Sequence, residues 1–140
     1  MPVRHANAKW EGDLKGKGQF SAGPGIAGGY NFSSRFEEGP GSNPESLLGA
    51  AHAACYSMAL SLGLARAGTP AESVETDAAV TIDKLDAGWT ITKVRLTVRG
   101  KVPGIDEAAF VKAAEGAKAG CPLSRALNPS ITVELDAKLV

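Results

Sequence analysis

Two cysteines, Cys55 and Cys121, are the side chains of this sequence most able to carry out redox chemistry. In a reducing compartment a thiol pair points to redox or catalytic use rather than to a structural staple. Plain burial is the competing reading, because cysteine is a good small core residue. Cys55 lies in Ala51-His52-Ala53-Ala54-Cys55-Tyr56-Ser57, inside an almost uncharged stretch. Apolar surroundings raise a thiol pKa, so Cys55 reacts only if a cation or hydrogen-bond donors stabilise its anion. Cys121 stands at Gly120-Cys121-Pro122, where one helix should stop and another begin. The N–H groups of the new helix favour a thiolate there, so on local sequence Cys121 is the more acidic of the two. His52, three residues before Cys55, shares its helix face.

Other constellations are weaker. His5, His52, Cys55 and Cys121 would suffice in number for zinc, but no Cys-x-x-Cys spacing exists and His5 falls in a polar N-terminus. His52 reads better as a packing or hydrogen-bonding residue. Gly23-Pro24-Gly25-Ile26-Ala27-Gly28 matches G-x-G-x-x-G, yet Pro24 interrupts it and a strand-like segment follows where a helix should open. There is no Gly-Lys-Ser/Thr phosphate loop and no G-x-S-x-G elbow. Arg35, near the end of Tyr30-Asn31-Phe32-Ser33-Ser34-Arg35-Phe36, and Glu45, at a helix start, are ordinary when taken singly.

The elements that must position these residues follow from periodicity. Ala6–Gly12 and Lys17–Phe20 read as a hairpin turned near Lys15-Gly16, and Ser21–Gly29 as a glycine-rich loop. Tyr30–Phe36 alternates Tyr30, Phe32, Ser34 and Phe36 and reads as a strand. Asn43 as N-cap, Pro44 at the first position and Glu45 in the first turn open a long helix that runs to Arg66 or Ala67. From Leu47 to Leu64 its only titratable groups are His52 and Cys55. A helix apolar or small all round is buried all round. One domain of 140 residues is hard pressed to wrap it, so a partner chain should cover the remaining face. Val74–Asp83 and Trp89–Arg99 form an antiparallel hairpin, with a bulge near Thr92 or Lys93 where the side-chain parity changes. Asp106 caps a helix to Ala119 with a stripe of Phe110, Ala113, Ala114 and Ala117. A short helix follows from Cys121-Pro122 to Leu127, and Ile131–Leu139 is a last strand. This order lacks the regular alternation of a parallel sheet and indicates an α+β fold.

Composition narrows the function classes. Lys+Arg and Asp+Glu both number 15, so the chain is formally neutral and has no basic footprint for nucleic acid or an anionic membrane. Met1–Gly12 lacks the apolar core of a signal peptide, and no apolar run reads as a membrane span. The expected arrangement is one domain over residues 1–140, located in the cytoplasm.

Several blocks together resemble the OsmC/Ohr family of hydroperoxide reductases. They are Arg35-Phe36-Glu37, Asn43-Pro44-Glu45, Leu48-Gly49-Ala50-Ala51-His52-Ala53-Ala54-Cys55 with Ser57-Met58-Ala59-Leu60-Ser61, and Asp86-Ala87-Gly88. Ile91-Thr92-Lys93, Val102-Pro103-Gly104-Ile105-Asp106 and Ala117-Lys118-Ala119-Gly120-Cys121-Pro122 continue the match. The Ala-Ala-His-Ala-Ala-Cys form is similar to the OsmC branch. The resemblance implies an intertwined α+β homodimer, antiparallel sheets wrapped around long central helices, and active sites at the subunit interface. It further implies Cys55 as the peroxidatic thiolate, Cys121 as the resolving cysteine within the same chain, and Arg35 with its partner Glu45 beside the reacting sulfur. Where some members carry a second glutamate after Asn-Pro-Glu, this chain has Ser46, which places more weight on Glu45. The implied substrates are organic hydroperoxides, with hydrogen peroxide poorer, in oxidative or osmotic stress defence. The implied reductant is a dithiol such as a lipoylated protein, and no metal, haem or flavin is implied. Glu45 and Cys55 are ten residues apart on one helix, about 15 Å of rise. Arg35 and Glu45 of one subunit are therefore expected to serve Cys55 of the other. An apolar-ligand-binding dimer and a redox sensor or chaperone are the alternative readings.

Overall fold

A computed structural model describes all 140 residues, and the chain divides into two compact units, Met1–Leu47 and Leu48–Val140. The boundary falls inside the long helix.

The first unit holds a three-stranded antiparallel sheet of β1 (Asn7–Glu11), β2 (Lys17–Ser21) and β3 (Ala27–Asn31), in that order. The segment Tyr30–Phe36 departs from the expected strand: it leaves the sheet at Asn31 and continues as a short helix, α1 (Phe32–Phe36). The cause is local capping. Asn31 accepts from the Ser34 N–H, and Ser34 Oγ accepts from the Asn31 N–H, both at 2.9 Å. The helical turn sets Phe32 and Phe36 in ring contact, with centroids 5.1 Å apart. Part of the glycine-rich loop is also strand, since Ala27–Gly29 pair with β2. The start of α2 (Pro44–Arg66) is as expected: Asn43 Oδ1 caps it by accepting from the Ser46 N–H at 2.7 Å.

The second unit carries most of α2, the hairpin β4 (Ser73–Leu85) and β5 (Gly88–Lys101), the helices α3 (Glu107–Gly120) and α4 (Pro122–Leu127), and β6 (Thr132–Leu139). Asp106 caps α3 through the Ala109 N–H. The β4–β5 register shifts between Thr81 and Ile82 and leaves Thr92 as the extra residue, which is the expected bulge. The sheet order is β4-β5-β6, and β6 runs parallel to β5, so the expected all-antiparallel sheets need correcting at this pair. A parallel neighbour requires a crossover, and α3 with α4 supply it between β5 and β6.

Tyr56, Leu60 and Leu64 of α2 pack in one core with Val94, Leu96 and Val98 of β5 and with Phe110 and Ala114 of α3. Small residues allow the close approach: a Cβ on Gly49 would stand 3.1 Å from the Ala78 carbonyl oxygen of β4. Only one stripe of α2 is buried. The opposite seam, Ala51, Ala54, Met58, Leu62 and Ala65, is exposed, with Met58 76% accessible. By length and composition α2 is apolar enough to cross a membrane, contrary to the sequence expectation. Its buried stripe instead makes it a core helix: His52 and Tyr56 on that stripe hydrogen-bond to Ser124 of α4 and to the Ala114 carbonyl of α3.

Candidate active site

The four expected site residues form two pairs, one in each unit. In the first unit, Arg35 of α1 and Glu45 of α2 are joined as a bidentate pair. Arg35 Nη2 lies 2.7 Å from Glu45 Oε1, and Arg35 Nε lies 3.1 Å from Oε1 and 3.2 Å from Oε2. This fork geometry fixes the guanidinium in orientation as well as in charge. Glu45 is buried, whereas the Arg35 side chain retains about a third of its exposure. The capping at Asn31 that overturned the strand reading is what turns Arg35 toward this pair, because it creates α1. Beside the guanidinium is an apolar cavity of about 280 Å³, lined by Trp10, Leu14, Tyr30, Phe32, Arg35 and Phe36. The aromatic wall was not among the expected site residues. The clustering of Tyr30, Phe32 and Phe36 around Arg35 was the available signal.

In the second unit, Cys55 Sγ and Cys121 Sγ are 3.3 Å apart and unbonded. Cys55 is partly exposed on α2, and Cys121 is fully buried as the N-cap of α4. Burial pushes the Cys55 thiol up; the Leu123 N–H opposes this, and the neighbouring Cys121 adds to it. No cation is among the groups acting on Cys55. Burial also works against a Cys121 anion, but the Ser124 N–H, the Cys55 thiol, the Ser124 hydroxyl and the Leu123 N–H outweigh it, so the Cys121 thiol is lowered. The Leu123 and Ser124 N–H groups close no formal cap hydrogen bond to the sulfur; they act as dipoles at the start of α4. Within the chain Cys121 is thus the more acidic of the two thiols, in line with the local sequence reading. His52 Nε2 meets Ser124 Oγ at 2.8 Å, in keeping with the reading of His52 as a hydrogen-bonding residue. No three His, Cys, Asp or Glu side chains converge as ligands for a metal ion.

Residues 37–136 match the family model described as OsmC-like protein. The chain belongs to the OsmC-like family. It is 49% identical over 138 residues to the peroxiredoxin OsmC of Escherichia coli (strain K12), with 96% of each chain covered. It is 34% identical over 99 residues to the organic hydroperoxide resistance protein of Xanthomonas axonopodis pv. citri, covering 69% of this chain and 67% of that protein. Among solved structures, an organic hydroperoxide resistance protein OsmC from Legionella pneumophila has a TM-score of 0.77 at 21% identity, with 99% of both chains covered. An OsmC-like protein from Mycoplasma pneumoniae has a TM-score of 0.79 at 12% identity, covering 99% of this chain and 98% of that one. The OsmC-like chain therefore has the α+β fold of these proteins, with two small sheets and helices.

Proposed function

We propose that the chain is a thiol peroxidase that reduces organic hydroperoxides, with Cys55 as the attacking thiolate and Cys121 as its resolving partner. The supporting observation is the 3.3 Å approach of two unbonded sulfurs, one partly open and one sealed. A relative named peroxiredoxin OsmC at 49% identity supports the same reaction class. The thiolate attacks the distal peroxide oxygen; the O–O bond breaks, the alkoxide takes a proton and leaves as alcohol, and Cys55 becomes a sulfenic acid. Cys121 then displaces hydroxide to form the disulfide, and a dithiol such as a lipoylated protein reduces it. The apolar cavity beside Arg35 suits an organic peroxide better than hydrogen peroxide.

The acidity order within one chain favours the reverse assignment, with Cys121 attacking. Access weighs against it, because Cys121 is fully buried and a substrate has to touch the sulfur that reacts. Cys55 needs a cation that its own surroundings lack. The proposed source is Arg35, oriented by Glu45, of a second subunit. Cys55 borders the exposed seam of α2, one turn from both Ala51 and Met58, so a second chain covering that seam would reach it. In this reading the 140 residues operate as one domain within an intertwined homodimer, located in the cytoplasm.

The test is consumption of cumene hydroperoxide with excess dihydrolipoamide. Wild type should turn over repeatedly, Cys55→Ser should lose at least about 100-fold, and Cys121→Ser should accumulate a sulfenic acid that dimedone traps on Cys55. Wild-type turnover in Cys55→Ser would refute the assignment.

A further inference from the structure

The reaction as described leaves one buried polar pair unused. His52 is wholly shielded from solvent, and its Nε2 lies 2.8 Å from the hydroxyl of Ser124, itself buried in α4. The other ring nitrogen, Nδ1, is buried without a partner. Ser124 is the third residue of α4, and Cys121 is the N-cap of the same helix. In that relation the third side chain faces back toward the cap. The Cys121 sulfur is in turn 3.3 Å from Cys55. The His52–Ser124 and Cys121–Cys55 contacts are thus joined through the first turn of α4, a path that leaves α2 at His52 and returns to it one turn later.

The hydrogens on this line can be placed by elimination. A neutral imidazole carries one N–H. A proton on Nδ1 would be a buried donor with nothing to bond, whereas an under-satisfied acceptor is better tolerated. The N–H therefore belongs on Nε2, which donates to Ser124 Oγ. With the oxygen engaged as acceptor, the serine hydrogen is free to turn toward the Cys121 sulfur at the start of the same helix. The hydroxyl favours the anion of that sulfur.

We infer that His52 and Ser124 are positioning residues for disulfide formation: His52 locks the Ser124 hydroxyl so that it donates to Cys121 and holds that sulfur as the attacking thiolate. This rests on the peroxidase reading above. In the step concerned, the Cys121 thiolate attacks the sulfur of the Cys55 sulfenic acid. The S–S bond forms as the S–O bond breaks, the Cys121 sulfur is oxidised and the Cys55 sulfur reduced. The departing hydroxide combines with the proton released when the Cys121 thiol ionised and leaves as water. The other titratable groups around Cys121 are Cys55 and Tyr56 of α2, with Glu115 of α3 acting on Tyr56. None of them is a cation, so the anion is favoured by hydrogen-bond donors, those at the start of α4 together with the Cys55 thiol.

The direct test is ultraviolet titration of the thiolate in a Cys55→Ala protein, where Cys121 is the only thiol. No peroxide enters, so the outcome is independent of whether the protein reduces hydroperoxides. Ser124→Ala should raise the Cys121 midpoint by about one pH unit, the size of a lost charge-assisted hydrogen bond. His52→Leu should raise it similarly, while His52→Gln, which keeps a donor near the Nε2 position, should restore most of the difference. In Cys55-containing protein given one equivalent of cumene hydroperoxide, Ser124→Ala and His52→Leu should form the disulfide about tenfold more slowly near neutral pH. A midpoint unmoved by Ser124→Ala in protein with native circular dichroism, or moved equally by His52→Gln and His52→Leu, overturns the inference and leaves the pair a packing role. If wild type forms no sulfenic acid at all, the peroxidase reading fails, and the titration still decides whether His52 and Ser124 tune Cys121.

Discussion

Burial and ionisation oppose each other at three residues of α2, and each resolves the conflict differently. Tyr56 stays protonated: burial first, then Glu115 and Cys121, push its hydroxyl far up, and it donates to the Ala114 carbonyl at 2.8 Å. Cys55 is also pushed up by burial within its own chain, and in the proposed reading its cation is Arg35 of a second subunit. His52 is held neutral, because burial lowers its pKa from 6.5. That shift has a sign for stability. As pH falls below 6.5 the unfolded chain takes up the imidazole proton before the folded chain does, so stability should fall with it, down to the folded pKa. Urea unfolding at neutral and mildly acid pH should show wild type losing more stability than His52→Gln, by at most about 1.4 kcal/mol per pH unit. Equal losses in the two proteins would mean that His52 titrates alike folded and unfolded.

At the level of elements, α2 is divided lengthwise between a buried stripe through His52, Tyr56, Leu60 and Leu64 and an exposed seam through Ala51, Ala54, Met58 and Leu62. A seam of that composition suits a second helix rather than water. In the proposed homodimer this seam lies at the interface, so Met58→Asp should leave the far-ultraviolet circular dichroism unchanged and yield monomer in analytical ultracentrifugation at concentrations where wild type is dimeric; a dimer of unchanged affinity would remove the seam from the interface. Both ends of α2 and the caps of α2 and α3 were legible in the sequence, because Asn43-Pro44-Glu45, Asp106 and Gly68, which takes a positive φ just past Arg66, state their roles through local chemistry. The turn at Asn31 was not read, because aromatic alternation through Tyr30, Phe32 and Phe36 masked an Asn31/Ser34 capping box. The strand character of Thr132–Leu139 was legible and its direction was not: alternation reports a face, while direction depends on where α3 and α4 return the chain to the sheet.

For the molecule as a whole, the sequence disclosed the participants better than their meeting points. The separation of Cys55 from Cys121 by 66 positions conceals a contact that the crossover through α3 and α4 creates. The Arg35–Glu45 pair was foreseeable only through family resemblance, since neither residue stands out locally, and the aromatic cavity beside it depends on α1, which was missed. In the proposed peroxidase Arg35 of one chain serves Cys55 of the other, and complementation between subunits tests that crossing directly. An Arg35→Ala chain and a Cys55→Ala chain, each inactive alone, are refolded together in equal amounts, and cumene hydroperoxide consumption is measured with dihydrolipoamide. The crossed arrangement gives each heterodimer one complete site and restores about a quarter of wild-type turnover. A mixture in which heterodimers are present and activity stays at the level of the separate variants would contradict it.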